Sequence, residues 1–241
     1  MAPSQPCDLS ELAYTLTISG TGFGNATTTA TATPGPAVRI FPTGGQSQTG
    51  VAGSILPKPL VAQAQDLYKN GVSGVTVHFT ANQGAVPNPP SAVTDVNGFA
   101  RTTLQLPTTV AKITVTGSCT QYILTCAGFK NISFIEYSVA GPAASIAVTG
   151  GNNQVAPAGT QLPVALTVLV ADQYGNPVPS AGVTFSDGGA GGTFSNANPV
   201  LTSTSGTATA FYTLPPSPKT VTIHAAVTGV TSPAVFTETG Q

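Results

Sequence analysis

The chain repeats itself at an offset of 106 residues. Ile40, Asp66, Tyr68, Asn70, Val77 and Phe79 return as Ile146, Asp172, Tyr174, Asn176, Val183 and Phe185, and Gly35-Pro36-Ala37 returns as Gly141-Pro142-Ala143. Such a period is too long for a solenoid unit, whose repeats run about 20–50 residues. It matches the roughly 100 residues of one small β-sandwich. The sequence therefore encodes whole domains in tandem, which favours a spacer, stalk or binding role over a single catalytic centre.

The expected organisation is a partial repeat over 1–35, a first domain over 36–140 and a second over 141–241. Apolar residues alternate with polar ones, as in Val75-Thr76-Val77-His78-Phe79 and Lys112-Ile113-Thr114-Val115-Thr116. A period of two with β-branched residues marks half-buried strands. Seven strands are expected in the first domain, near 37–42, 59–66, 74–80, 91–94, 98–106, 110–117 and 130–139. Seven more follow near 143–149, 162–171, 181–186, 199–203, 206–214, 219–227 and 233–239. The fold class is all-β, as tandem antiparallel sandwiches. Phe79, Val77, Leu104 and Val115, with Phe185, Val183, Tyr212 and Ile223, are expected to line the two cores.

Composition narrows the function classes. Charged residues make only 6% of the 241, with seven Lys and Arg and a net charge of −1. Nucleic-acid binding needs clustered cations, so no nucleic-acid partner is expected. Gly (27) and Pro (21) together are about 20% of the chain, below the roughly 25–30% of low-complexity segments. No apolar run approaches the ~20 residues of a membrane-spanning helix. Met1-Ala2-Pro3-Ser4-Gln5-Pro6 has no charged or apolar signal region, so an export signal is expected to have been removed.

The turn segments carry the most specific wording. Asp172-Gln173-Tyr174-Gly175-Asn176-Pro177-Val178 precedes Gly182-Val183-Thr184-Phe185, and Asp66-Leu67-Tyr68-Lys69-Asn70-Gly71 precedes Val75-Thr76-Val77. Thr94-Asp95-Val96-Asn97-Gly98-Phe99-Ala100 answers to Thr202-Ser203-Thr204-Ser205-Gly206-Thr207-Ala208. This wording resembles the bacterial Ig-like domain of group 1, the module of the invasin and intimin family of surface adhesins. The resemblance covers about 36–139 and 143–241. It implies non-catalytic Ig-like sandwiches in extracellular arrays at the bacterial surface. The first repeat departs from the pattern, with Lys69 and Gly71 where Gly and Pro are usual, which predicts a different loop shape there.

Residues 13–34 match the last two strands of a repeat: Gly22, Phe23 and Asn25 answer to Gly128, Phe129 and Asn131. Two readings stand. Either they are what remains of a repeat cut inside a longer array, or they are donated to the sheet edge of another subunit. Two strands alone are marginal in water, so they are expected to pair with a sheet edge, in this chain or a neighbour. The expected partners are thus other protein chains or neighbouring repeats, met through sheet edges. The link Val139-Ala140-Gly141-Pro142-Ala143 is short, and Pro142 fixes one φ, which predicts limited bending.

No residue set predicts catalysis, and neither a cofactor nor a metal is expected. The acids duplicate with the repeat. Asp66 and Asp172 share a turn position, and Glu136 and Glu238 each follow a Phe by two residues, Phe134 and Phe236. Duplicated acids belong to a scaffold. Asp66 and Asp172 are read as bonding nearby backbone N–H groups, with a calcium loop as the sharper alternative. His78 and His224 are read as surface strand positions. Gly188-Gly189-Ala190-Gly191-Gly192 lacks the Lys of a phosphate loop and is read as a flexible connection. Tyr68 and Tyr174 are the repeated aromatic candidates for a sugar platform, and packing in the turn is the plainer reading. Asn25-Ala26-Thr27 and Asn131-Ile132-Ser133 fit a glycosylation pattern that a bacterial protein would not be expected to use.

The site prediction is a disulfide between Cys119 and Cys126. Val115 to Gly128 spans seven residues more than Ile223 to Gly229, and both Cys lie in that extension. A hairpin tip brings facing positions near the ~5.5 Å Cα separation that a disulfide needs, and the bond implies an oxidising compartment. The functional expectation is a non-enzymatic array module that spaces or presents partners. The alternatives are a filament subunit that donates its N-terminal strands and a carbohydrate-binding accessory module.

Overall fold

The computed structural model describes residues 13–119 and 130–241. Two compact units divide the chain. Unit 1 takes Met1–Pro107 and Ala111–Ser138, and unit 2 takes Thr108–Val110 and Val139–Gln241. There is no helix among the described residues.

The described residues begin with a two-stranded antiparallel ribbon, β1 (Ala13–Gly20) and β2 (Phe23–Thr31). Among the described residues it pairs with no further strand. The expected edge is not supplied by the described residues.

Unit 1 continues with β3 (Arg39–Gly44), β4 (Thr49–Val51), β5 (Leu60–Gln65), β6 (Thr76–Ala81), β7 (Val86–Asn88), β8 (Ser91–Val93), β9 (Phe99–Gln105), β10 (Ala111–Cys119) and β11 (Ile132–Val139). One sheet runs β4-β11-β10-β6-β8 and the other β3-β5-β9-β7. Strict alternation puts Leu60, Ala62 and Ala64 of β5 inward against Val77, Phe79, Ile113, Val115 and Phe134. Small side chains on one sheet face large ones on the other, which fills the gap between layers ~10 Å apart.

Unit 2 has β12 (Ser145–Gly150), β13 (Val155–Ala156), β14 (Leu166–Ala171), β15 (Gly182–Ser186), β16 (Thr193–Phe194), β17 (Val200–Leu201), β18 (Thr207–Ala210), β19 (Tyr212–Thr213), β20 (Lys219–Val227) and β21 (Ala234–Gly240). Its sheets run β13-β21-β20-β15-β17, β12-β14-β18 and β16-β19. The core gathers Val168, Val183, Phe185, Tyr212, Ile223 and Phe236. All eight expected core residues are buried.

The sandwich class stands, but the strand count differs in a way that has a cause. The expected first strand of each unit continues as two pieces in two sheets. β3 pairs with β5, slips register between Pro42 and Gly44, and the chain re-emerges as β4 beside β11. β12 does the same between Val148 and Gly150 before β13 joins β21. Gly45 and Gly151 make the crossing possible, with φ of 77° and 78°. A Cβ on Gly45 would lie 2.1 Å from the Pro59 carbonyl oxygen, and one on Gly151 2.2 Å from that of Ala165. The left-handed conformation and the close backbone approach both demand glycine. The strand expected over 206–214 is also split, because Tyr212 and Thr213 leave β18 to pair with β16.

Candidate functional site

Three constructions built on carboxylates hold buried or half-buried polar groups, two of them duplicated; the buried Thr94 and Thr202 hydroxyls form a further matched pair. The first lies where the opening strand crosses between sheets. Glu136 of β11 and Glu238 of β21 point inward and are fully buried. Glu136 Oε2 accepts the Gln48 N–H at 2.6 Å, and Glu238 Oε2 accepts the Gln154 N–H at 2.7 Å. The same glutamines tie the crossing together with their side chains. Gln48 Nε2 donates to the Gly45 and Lys58 carbonyls and its Oε1 accepts the Lys58 N–H. Gln154 repeats this with Gly151 and Val164. Each unit's first and last strands are thereby stapled from inside.

The staple has an electrostatic cost. The Oε1 atoms of Glu136 and Glu238 have no hydrogen-bond partner. Desolvation pushes both carboxyls above the ordinary glutamate range, against the amide bonds from Gln48 and Ser47, and from Gln154 and Asn153. Burying a carboxylate without a cation favours the neutral acid.

The second construction is the Asp turn. Asp66 Oδ1 accepts the Tyr68 and Asn70 N–H groups, and Oδ2 accepts the Gly35 N–H and the Asn70 side-chain amide, all at 2.9–3.0 Å. Asp172 does the same with Tyr174, Asn176 and Gly141. Burial raises the pKa of each, but the four donors outweigh it and hold both below the usual aspartate range. The oxygens that a calcium ion would need are already committed to N–H donors. The expected difference in loop shape does not occur. Lys69 adopts φ 73° where Gly175 has 83°, and both turns close through the same backbone bond, Asp66 N–H to Asn70 and Asp172 N–H to Asn176. The turn overrides the residue preference because the carboxylate fixes the backbone around it. Tyr68 and Tyr174 are exposed and do not pack into the turn.

Among the described residues the third construction belongs to unit 2 alone. The glycine run read as a flexible connection wraps the Asp187 carboxylate. Its Oδ2 accepts the Tyr212 hydroxyl and the Gly192 N–H at 2.9 Å, and Oδ1 accepts the Gly189 N–H at 3.0 Å. A Cβ on Gly192 would overlap the Tyr212 hydroxyl at 1.9 Å. Burial raises the Asp187 pKa, while the tyrosine and the three loop amides pull it lower overall. Tyr212 is pushed up, first by burial and then by Asp187. An Asp immediately before a glycine run, with a buried Tyr in the strand beneath, was the available signal.

His224 is exposed on its strand, and His78 is half-buried. Cys119 ends β10 and is disulfide-bonded. Its expected partner Cys126 lies outside the described residues, as does Cys7, and the pairing stands as a proposal. No group of three or more potential metal ligands occurs among the described residues. No helix there is long and apolar enough to cross a membrane.

The chain aligns over 90% of its length with FdeC, an Escherichia coli adhesin, at 19% identity and a TM-score of 0.53, covering 69% of that structure. It aligns over 84% with InvD of Yersinia pseudotuberculosis at 15% identity and the same TM-score, and spans 57% of that structure. The fold is that of Ig-like modules in bacterial adhesins. No family model and no curated protein matches the chain, so the likeness lives in the sandwich topology. The Asp turn, the core alternation and the crossing first strand produce that topology here.

Proposed function

We propose that this chain is a non-enzymatic, extracellular module of a bacterial surface array, whose two sandwiches bear tension and hold a partner-binding element away from the cell. FdeC, whose fold this chain shares, is an adhesin, and that role is extended to this chain. The observation that carries the reading is the joint between first and last strands. β13 runs parallel to β21, with Val155 opposite Thr239 and Ala156 opposite Gly240. Thr239 N–H donates to Gln154 and Gln241 N–H to Ala156. In unit 1, Tyr137 N–H donates to Gln48 and Ser47 N–H to Ile135.

A pull on the two ends of unit 2 loads this pair in shear. Bonds loaded in shear fail together, whereas bonds in an unzipping hairpin fail one at a time. Glu136 and Glu238 add a buried bond across the same joint. The buried carboxylates close the strands from inside, which supports a structural use of them.

Single-molecule stretching tests this. Two force-resisting steps are expected, each of roughly 30 nm for one sandwich of extended chain at ~3.5 Å per residue. Glu238→Ala should lower the force of one step only. Smooth extension without peaks would refute the load-bearing reading. The expected disulfide between Cys119 and Cys126 suits the same oxidising compartment.

A further inference from the structure

In each unit the segment that crosses between sheets lies over the buried glutamate: residues 46–51 over Glu136, and 152–157 over Glu238. Both segments are thinly held. In unit 2 the Asn153 N–H donates to Thr237, the Thr239 N–H to Gln154 and the Gln241 N–H to Ala156. In unit 1 the Ser47 N–H donates to Ile135 and the Tyr137 N–H to Gln48. Neither β4 nor β13 buries a large apolar side chain, since Val51 is 40% exposed and Val155 55%. Elements with few buried apolar contacts open before the domain around them unfolds. Yet each segment shields a carboxyl that is 0% exposed.

That carboxyl suits the closed segment in one protonation state. Oε2 accepts an amide, while Oε1 has no partner in either unit. A neutral acid tolerates such a site, and a carboxylate with so few donors does not. Asp66 shows the contrast, because four donors surround its charge. No cation compensates the glutamates. The strands β4, β12 and β13 carry no titratable side chain. Around Glu136, Lys58, Lys112, Tyr137, Arg39 and Arg101 are all exposed, and His78 sits far along β10, paired with Ser118. Around Glu238, His224 is exposed, the Lys219 ammonium donates to the Ala190 carbonyl, and Tyr212 is bonded to Asp187. The Gln241 carboxyl accepts the Ala158 N–H. Unit 1 has Ala111 and Val139 where unit 2 has Lys219 and Gln241. Behaviour common to both units therefore belongs to the glutamates.

We propose that each crossing segment is a proton-latched strap. It is closed over its glutamate while the carboxyl keeps its proton, and it swings off the last strand, admitting water, once that proton leaves for solvent. The open carboxyl titrates at about 4.3, and burial pushes the closed one higher. Acid therefore closes the strap and rising pH opens it. Opening bares the edge of β11 or β21, because the Tyr137, Thr239 and Gln241 N–H groups lose their acceptors. A joint under load is thereby tightened by acid. The strap goes beyond the load-bearing reading and does not rest on it.

The test is amide hydrogen exchange of the full 241-residue chain without load, corrected for the chemical exchange rate at each pH. Ser47 and Tyr137 report the strap of unit 1, and Asn153 and Thr239 that of unit 2. Ala64 and Val170, bonded to Gly98 and Gly206, report the two cores. The strap amides should exchange about 100-fold or more faster than the core amides. Their opening constant should rise about tenfold per pH unit above roughly 4.3, the signature of one released proton. Glu238→Gln keeps an acceptor for the Gln154 N–H and should flatten this rise at Asn153 and Thr239, leaving Ser47 and Tyr137 as they were. Glu136→Gln should do the reverse. Strap and core amides exchanging at one rate overturn the proposal, because the unit then opens as a whole. A rise seen in unit 2 alone also overturns it, in favour of Lys219 or Gln241, as does a rise that survives both substitutions. The natural chain alone decides the first two outcomes, so a variant that fails to fold leaves the proposal open to refutation. Stretching at a single pH does not read the proton, so the strap and the load-bearing reading fail separately.

Discussion

Replacing Glu238 by Ala should cost unit 2 about 2 kcal/mol, and replacing it by Gln should cost far less. Glu238 Oε2 is the acceptor for the Gln154 N–H. The neighbouring Asn153 N–H has the Thr237 carbonyl as well, so truncation leaves one amide newly orphaned. A buried unsatisfied donor costs about 1–3 kcal/mol. Glu238 Oε1, however, is buried without a partner, and its removal returns part of the desolvation cost. Glutamine keeps a carbonyl for the Gln154 N–H and carries no charge. The pH dependence separates the two effects. Burial raises the folded-state pKa of Glu238, so the folded state holds its proton more tightly than the unfolded one. Its stabilisation is fully present below the unfolded value of about 4.3 and is lost as pH rises through the folded value. Glu238→Gln should therefore flatten the decline of unit 2 stability above about pH 4.3 and leave unit 1 unaltered. Denaturant unfolding between acid and neutral pH, with separate probes for the units, measures this. In calorimetry, ~2 kcal/mol should appear as roughly 10 °C in the melting of a 100-residue unit. Natural stability for Glu238→Ala, or an undiminished decline for Glu238→Gln, would refute the staple.

Asp172→Ala removes the acceptor for four N–H groups and should destabilise unit 2 by about 2–3 kcal/mol. The pKa of Asp172 is lowered in the fold, so the stability it gives holds above the unfolded value and drains as pH falls through the folded one. An acid titration of the variant should lack that loss. Lys69→Gly should stabilise unit 1 by ~0.5–1 kcal/mol, because a non-glycine residue at positive φ is strained; a lower melting temperature would contradict this. Tyr212→Phe should cost about 1–2 kcal/mol through the lost bond to Asp187, read by denaturant midpoint. Alkylation followed by intact mass should show one reactive Cys without reductant, and three would sink the Cys119–Cys126 pairing.

The chain itself determined what depends on near neighbours. Alternation in β6, β10, β15 and β20 fixed which side chains face inward, because a strand's side chains change sides at every residue. The Asp66 and Asp172 turns were equally legible, since donors two and four residues away decide them. The 106-residue offset marked the repeats before any fold was known. Only the tertiary structure decided the rest. Gln48 meets Glu136 across 88 residues, and Gln154 meets Glu238 across 84. Asp187 finds Tyr212 across 25. Such partners are chosen by which strands the two sheets bring side by side. The glycine pairs at 44–45 and 150–151 stood in the sequence as repeated signals. Their meaning, a strand that leaves one sheet for the other, exists only once both sheets are in place, because the carbonyls of Pro59 and Ala165 that exclude a side chain arrive from a different strand.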